Sequence, residues 1–273
     1  MKKNFRKATM STVAMLLVAV MSLTGATYAW FTSGNEAVVT GMNIDVAAAD
    51  GSVQIRQKAA TGDWGAWGSQ VAITLPEVQL QPISSFDGVN FFSATFDPLD
   101  NSMIKSAAVT GTALNESVLS VDLQLGTTGT EEITVDLGTS AIGAASAQKD
   151  IHRASRVAIF VDSNNDGTYE TSNIWYYVDG KSEDTTNAIK AASGATYFKA
   201  YNATDYTDVQ VLKANDEIQI TIPAADNNVP VPVTVKLVLW IEGQDADCVT
   251  SNAGASFDVG MLFAKVSETE DGE

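Results

Sequence analysis

The chain has 273 residues and carries 33 acidic against 16 basic side chains, a formal net charge of −17. A surface this acidic repels nucleic acid and anionic lipid, which excludes both as partners. Hydrophobic residues make up 45% of the chain and there is one cysteine, so there is material for one large core and none for an internal disulfide.

The first stretch reads as an export signal. Lys2, Lys3, Arg6 and Lys7 form a basic segment, Thr12 to Leu23 is an apolar run, and Thr27-Tyr28-Ala29 sets small residues at the two positions a signal peptidase inspects. An apolar run of about a dozen residues falls short of the roughly 20 needed to span a bilayer. The expected layout is a signal-peptide helix at 1–29, cut between Ala29 and Trp30, one domain at 30–266 and an acidic tail at 267–273. No membrane association is expected once the signal is gone. The leader holds four of the basic residues and no acid, so the mature chain carries about −21, and any self-assembly would respond to salt and divalent cations.

Beyond the leader, apolar and polar residues alternate with a period of two between Gly, Asn, Asp and Pro. The pattern predicts strands at 42–46, 53–55, 70–75, 89–96, 103–110, 118–125, 131–137, 156–161, 173–178, 209–212, 217–222, 231–241 and 256–266. About a dozen strands without amphipathic helices between them predict an all-β, antiparallel two-sheet sandwich of jelly-roll type. The stretches 140–151, rich in alanine, and 182–192 are helix-permissive, and short helices or loops covering a sandwich edge are expected there.

Three places hold candidate chemistry. Asp162, Asn164, Asp166, Thr168 and Glu170 surround Gly167, with oxygens at alternate positions and glycine at the sixth, as a calcium loop requires. The twelfth position is Asn173 rather than a bidentate Glu, and the same residues also make a plain hairpin turn, so calcium is one of two readings and no other cofactor is expected. Trp64 and Trp67, among Gly62, Gly65 and Gly68, read either as an aromatic platform for a sugar or another subunit, or as tryptophans folded back onto a sheet. Glu242, Asp245 and Asp247 form an acidic cluster after Trp240, read as a solvated turn in preference to a metal site.

No catalytic residue is assigned. His152 is the one histidine, so a two-histidine zinc site cannot form within one chain. No signature of a thiol enzyme surrounds His152 or Cys248, and no nucleophile elbow or phosphate loop is present.

The junction Gly25-Ala26-Thr27-Tyr28-Ala29-Trp30-Phe31, followed by Gly41-Met42-Asn43-Ile44-Asp45-Val46, resembles the camelysin and TasA family of exported Gram-positive proteins. Leaders of that family are cut by a dedicated signal peptidase. The segment Trp240-Ile241-Glu242-Gly243, continuing to Asp245 and Cys248, is similar to one found in clostridial relatives. The resemblance implies a jelly roll and a secreted subunit of extracellular fibres or a biofilm or surface matrix, a homopolymer to which other matrix proteins can add. Strand addition from one subunit to the next would use Trp30, Phe31, Val38, Val39, Met42, Ile44 and Val46; the other reading of this stretch is that Met42 to Val46 is simply the first strand of its own sandwich. Two alternatives stand beside it: a camelysin-type secreted metalloprotease, which the lone histidine disfavours, and a monomeric cell-surface binding or adhesive module. Secreted material is expected to begin at Trp30 on N-terminal sequencing; a first residue of Met1 overturns the cleavage.

Overall fold

The structure is a computed structural model, and it describes residues 37–48, 52–73, 78–85, 87–96, 103–137, 141–144, 151–170, 174–177, 218–243, 248 and 254–266. The leader, Ala29, Trp30, Phe31, the stretch 182–192, the strand expected at 209–212 and the acidic tail lie outside them.

Fourteen strands are described. They are β1 (Ala37–Ala47), β2 (Val53–Gln57), β3 (Gln70–Ile73), β4 (Val78–Leu80), β5 (Phe92–Phe96), β6 (Met103–Ala108) and β7 (Val118–Thr127), then β8 (Ile133–Leu137), β9 (Ala141–Ala144), β10 (Ser155–Asp162), β11 (Ile174–Tyr177), β12 (Gln219–Ile222), β13 (Val233–Ile241) and β14 (Ser256–Lys265). A single short helix, α1 (Gly111–Asn115), and a 3-10 turn (Ile151–Ala154) complete the described elements.

The large sheet runs β12-β8-β14-β1-β3, with β4 also on β1 and β9 also on β14. The small sheet runs β11-β10-β13-β7-β2, and β5 and β6 pair apart from both. One cluster of buried residues drawn from the inner faces of the large and the small sheet joins them, including Met42, Ile44, Phe257, Met261 and Phe263 on one side and Ile55, Leu123, Leu125, Val157, Val235 and Leu237 on the other. At one side the sheets are also stitched by backbone, because Gly68, just before β3, exchanges hydrogen bonds of 2.7 and 2.9 Å with Ile55 of β2.

Three expectations need correction. The sheets are not antiparallel throughout, since β1 runs parallel to β14 from Val38↔Ser256 to Ala47↔Ala264. The alanine-rich stretch after Ser140 opens as a strand, β9, which completes the flank of β14 at Val259↔Ile142. Pairing within a sheet satisfies a strand's backbone groups, and that outweighs the weak helix preference of alanine. A short helix forms instead at Gly111–Asn115, where no periodic signal marks it.

β10 departs from alternation because it is buried on both faces. Its outer face, Ala158 and Phe160, meets Val238 and Trp240 of β13 and is roofed by Ile83 and Phe91, with Leu114 of α1 packed at the margin. The Phe91 and Trp240 rings meet edge to face, with centroids 5.6 Å apart. The roof lies so close that a Cβ on Gly88, at φ +69°, would fall 2.5 Å from the Ala158 Cβ, so only glycine fits there.

A buried carboxylate fastens this roof. Glu242 Oε2 accepts 3.2 Å hydrogen bonds from the Ser85 amide and from Trp240 Nε1. Ile83 and Gly243 bond each other's strands through Ile83 N–Ile241 O at 3.0 Å and Gly243 N–Ile83 O at 2.9 Å. Asp87 closes the turn below by accepting from the Val89 and Asn90 amides and from Asn90 Nδ2. Burial raises the Glu242 pKa above its ordinary 4.5, opposed by the Arg156 charge and by these donors. A raised folded-state pKa gives stability that is complete below the unfolded value and is lost as pH rises through the folded one. The melting temperature of the wild type is therefore expected to fall relative to Glu242→Gln as pH is raised from 4 towards 8; parallel curves would refute the assignment.

Candidate functional site

Two loops singled out by their residues flank the outer face of the small sheet, on the half that the roof leaves open. The first lies between β2 and β3. Its backbone folds back on β2, with Gly65 N bonding Gln57 O at 2.9 Å and a bridge pairing Lys58 with Trp64. Trp67 packs against Gly126 of β7 and against Pro230, where a Cβ on Gly126 would fall 2.9 Å from the ring. The Arg56 guanidinium carbon sits 4.2 Å from the centroid of Trp67 and 5.7 Å from that of Trp64, and Lys58 Nζ lies 5.7 Å from the Trp64 ring. Both rings thus clamp cations of their own strand. Burial beside them lowers the pKa of Arg56, a group that stays charged regardless. The tryptophans are folded back, as one of the two readings expected, and they cover the outer edge of β2.

The second loop joins β10 to β11. Asp162 is buried, its Oδ1 accepting the Asp166 amide at 3.1 Å and its Oδ2 the Gly167 amide at 2.9 Å. Asn164 Oδ1 accepts the Asp166 amide at 2.9 Å, Asp166 Oδ1 the Thr168 amide at 2.7 Å and the Glu170 carboxylate the Ser163 amide at 3.1 Å. Asn165 and Gly167 take the left-handed backbone, φ +57° and +87°, that lets the chain turn inside this ring of acceptors. The five candidate ligands are therefore together in one turn, and the side-chain oxygens of Asp162, Asn164, Asp166 and Glu170 already receive the loop's own amides. Tyr169 leans on Phe160 with centroids 5.8 Å apart, and its pKa is pushed up to about 12 by burial and then by Asp122 and Asp162.

Between the loops runs a file of hydrogen bonds absent from any sequence pattern. Arg56 Nε donates to Gln124 Oε1 at 2.8 Å, Gln124 Nε2 to Thr234 Oγ1 at 3.2 Å, and Thr234 Oγ1 to Asn165 Oδ1 at 2.6 Å. Asn165 Nδ2 closes the file on the Pro232 carbonyl. Four residues from β2, β7, β13 and the second loop are fixed in one row. Arg56, Gln124 and Thr234 are outward positions on adjacent strands, so register alone, Arg56↔Gln124↔Thr234, would reveal the row.

The remaining candidates lie apart. Val38, Val39, Met42, Ile44 and Val46 all belong to β1, with Val39, Met42, Ile44 and Val46 turned into the core and Val38 half-buried. A register shift between Val39 and Gly41 lets Val39 and Met42, three residues apart, both face inward. His152 lies in the 3-10 turn and Cys248 is buried. Glu242 is buried rather than solvated, which corrects the reading of that cluster, while Asp245 and Asp247 lie outside the described residues. Among the described residues, no three His, Cys, Asp or Glu side chains group as metal ligands do.

No family model, curated protein or solved structure matches the chain. The likeness of the leader junction and of the Trp240 segment to the camelysin and TasA family thus stands on those residues alone.

The Asp162 carboxylate is the acceptor of the Gly167 amide and shares the Asp166 amide with Asn164 Oδ1, and both amides belong to exposed residues that water can reach, so losing these two charge-assisted hydrogen bonds costs about 1–2 kcal/mol. Asp162→Ala is expected to lower unfolding free energy by about that much in urea titration. The turn closes by itself, so calcium is expected to leave the melting temperature unchanged. A rise with calcium that Asp166→Ala abolishes would establish the loop as a cation site.

Proposed function

We propose that the chain is a secreted structural subunit that joins its neighbours by strand addition and so builds extracellular fibres or a surface matrix. The observation that supports this is the setting of β1. It is the first described strand, it pairs with β14 on one side and with β3 and β4 on the other, and its successor β2 belongs to the other sheet. Withdrawing β1 opens a slot between the edge of β14 on one side and those of β3 and β4 on the other. Ala37, Val39, Met42, Ile44 and Val46 leave the core as a set. An identical strand from a second copy refills the slot with the same pairings, and exchange of an identical element is a low-cost route to association. Cutting the leader at Ala29 frees the approach to this strand, with Trp30 and Phe31 as its apolar lead.

Such a contact uses different surfaces of the two copies, so it does not close on itself and propagates as a filament. On this reading the two sheets form a jelly-roll-like sandwich, the partner is another copy, and the product is neither an enzyme nor dependent on a cofactor. A secreted metalloprotease is the weaker reading, because one histidine serves the whole chain.

Electron microscopy of the secreted chain tests the proposal. Filaments that persist at high salt and disappear on deletion of residues 30–46 are expected. A chain that stays monomeric at high concentration overturns it.

A further inference from the structure

The large sheet ends differently on its two sides. On one side the chain itself turns the corner into the small sheet: Gly68 exchanges bonds with Ile55 of β2, Ser69 O accepts the Val46 amide of β1 at 3.0 Å, and β3 continues along β1. On the other side the sheet ends at β12, which among the described strands pairs only with β8, from Gln219↔Asp136 to Ile222↔Ile133. No hydrogen bond among the described residues reaches the far edge of β12.

The register shows which groups stand on that edge. Val266 N donates to Thr134 O at 2.9 Å, so the backbone groups of Thr134 point to β14. Thr221, directly opposite Thr134, therefore turns its N–H and C=O away from β8, and Gln219 does the same two residues earlier, while Ile220 and Ile222 bond to β8. Two donors and two acceptors are left open in one row. Ile218, Ile220 and Ile222 point into the core, and the Gln219 and Thr221 side chains are exposed.

Natural sheets guard such an edge with charge, a bulge or a cover. No residue from Ile218 to Ile222 carries a charge, in a chain of net charge −17, and isoleucine alternating with Gln and Thr suits an extended strand. Pro223 lacks an N–H where the next outward donor would stand, which limits the edge to these four groups.

The four groups are complementary to themselves. A two-fold axis normal to the sheet at Ile220 lays a second β12 alongside, antiparallel, with Gln219 of each copy opposite Thr221 of the other. Both pairs then exchange N–H···O=C bonds in each direction, so four bonds form and no open group is left. A slip of two residues towards Pro223 would place proline where a donor is needed, which fixes the register. An uncharged edge is matched by an uncharged strand, and β12 is one that every copy carries.

We propose that a second copy of this chain pairs here, β12 against β12, so that two large sheets become one across a two-fold axis. Main-chain hydrogen bonds supply the affinity, as in other strand additions. The contact is isologous and closes at two copies, unlike the exchange of β1, and it stands independently of that reading.

Size-exclusion chromatography with light scattering, run on the soluble chain over about a hundredfold range of concentration, reads the association. A mass rising from one chain to two is expected. Thr221→Pro removes the outward N–H of each copy, and with it two of the four bonds, without touching the pairing with β8. The dissociation constant is expected to rise about thirtyfold, with circular dichroism and melting temperature unchanged. Charge tests the register. Gln219→Lys with Thr221→Lys sets lysine opposite lysine and is expected to leave monomer, whereas Gln219→Lys with Thr221→Glu sets lysine opposite glutamate twice and is expected to keep the pair. Wild-type chain that stays monomeric throughout overturns the proposal. So does pairing that Thr221→Pro leaves unchanged, or that is as strong with two lysines as with lysine and glutamate. β8 and β14 lie between β12 and β1, so these variants leave β1 exchange untouched and the two proposals fail separately.

Discussion

The parallel pairing of β1 with β14 is the contact on which the large sheet depends. These are its two longest strands, of 11 and 10 residues, and between them they carry every other described strand of that sheet, β12 through β8. A parallel neighbour cannot be reached by a tight turn, and here the pair encloses all the chain between Ala47 and Ser256. Closing so long a loop costs chain entropy that no local contact repays, and the return comes from burying Met42, Ile44, Phe257, Met261 and Phe263 together. The bulge between Val39 and Gly41 then makes the register specific, since a slip by one residue would turn both halves of the inward row to solvent.

The small sheet is organised by the opposite circumstance, burial on both sides. Over its apolar half the roof adds a second core, and a polar carboxylate, Glu242, sits within it because three elements supply donors or positive charge to it. Over its polar half the Trp64–Trp67 loop and the Asp162 loop lie against the strands, and side chains there are ordered by one another. Arg56 is gripped by tryptophans and tied through Gln124 and Thr234 to Asn165. The division of one sheet face into a roofed and an open half follows directly from the outward residues of β10 and β13: Ala158, Phe160, Val238 and Trp240 at one end, Asp162, Thr234 and Lys236 at the other.

Strands with one wet face were legible because alternation records that asymmetry. β1, β8, β12 and β14 all show it, within a few residues at their ends. The all-β class and the two sheets follow from that signal. β10 was legible as a strand but not as a doubly buried one, since Arg156 and Asp162 read as solvent-facing until their partners across the chain are known. The parallel sense of β1, the strand β9 and the helix α1 were hidden because each is decided by neighbours far away in sequence. Of the candidate site, the Asp162 turn was legible as a local pattern of short oxygen-bearing side chains around a glycine. The Arg56–Gln124–Thr234–Asn165 file was not, because its members are separated by 68 and 110 positions and meet only through register.

The direction of β1 relative to β14 also sets how the domain bears load. Ala37 begins β1 at one end of the sandwich and Lys265 finishes β14 at the other. Tension drawing these two points apart slides the strands past each other along their length, so the whole ladder of hydrogen bonds between them resists at once. Strands joined by a hairpin and pulled from their free ends would instead open one bond at a time. Force-driven unfolding is governed by the barrier to opening, and a ladder in shear raises that barrier without adding a single contact.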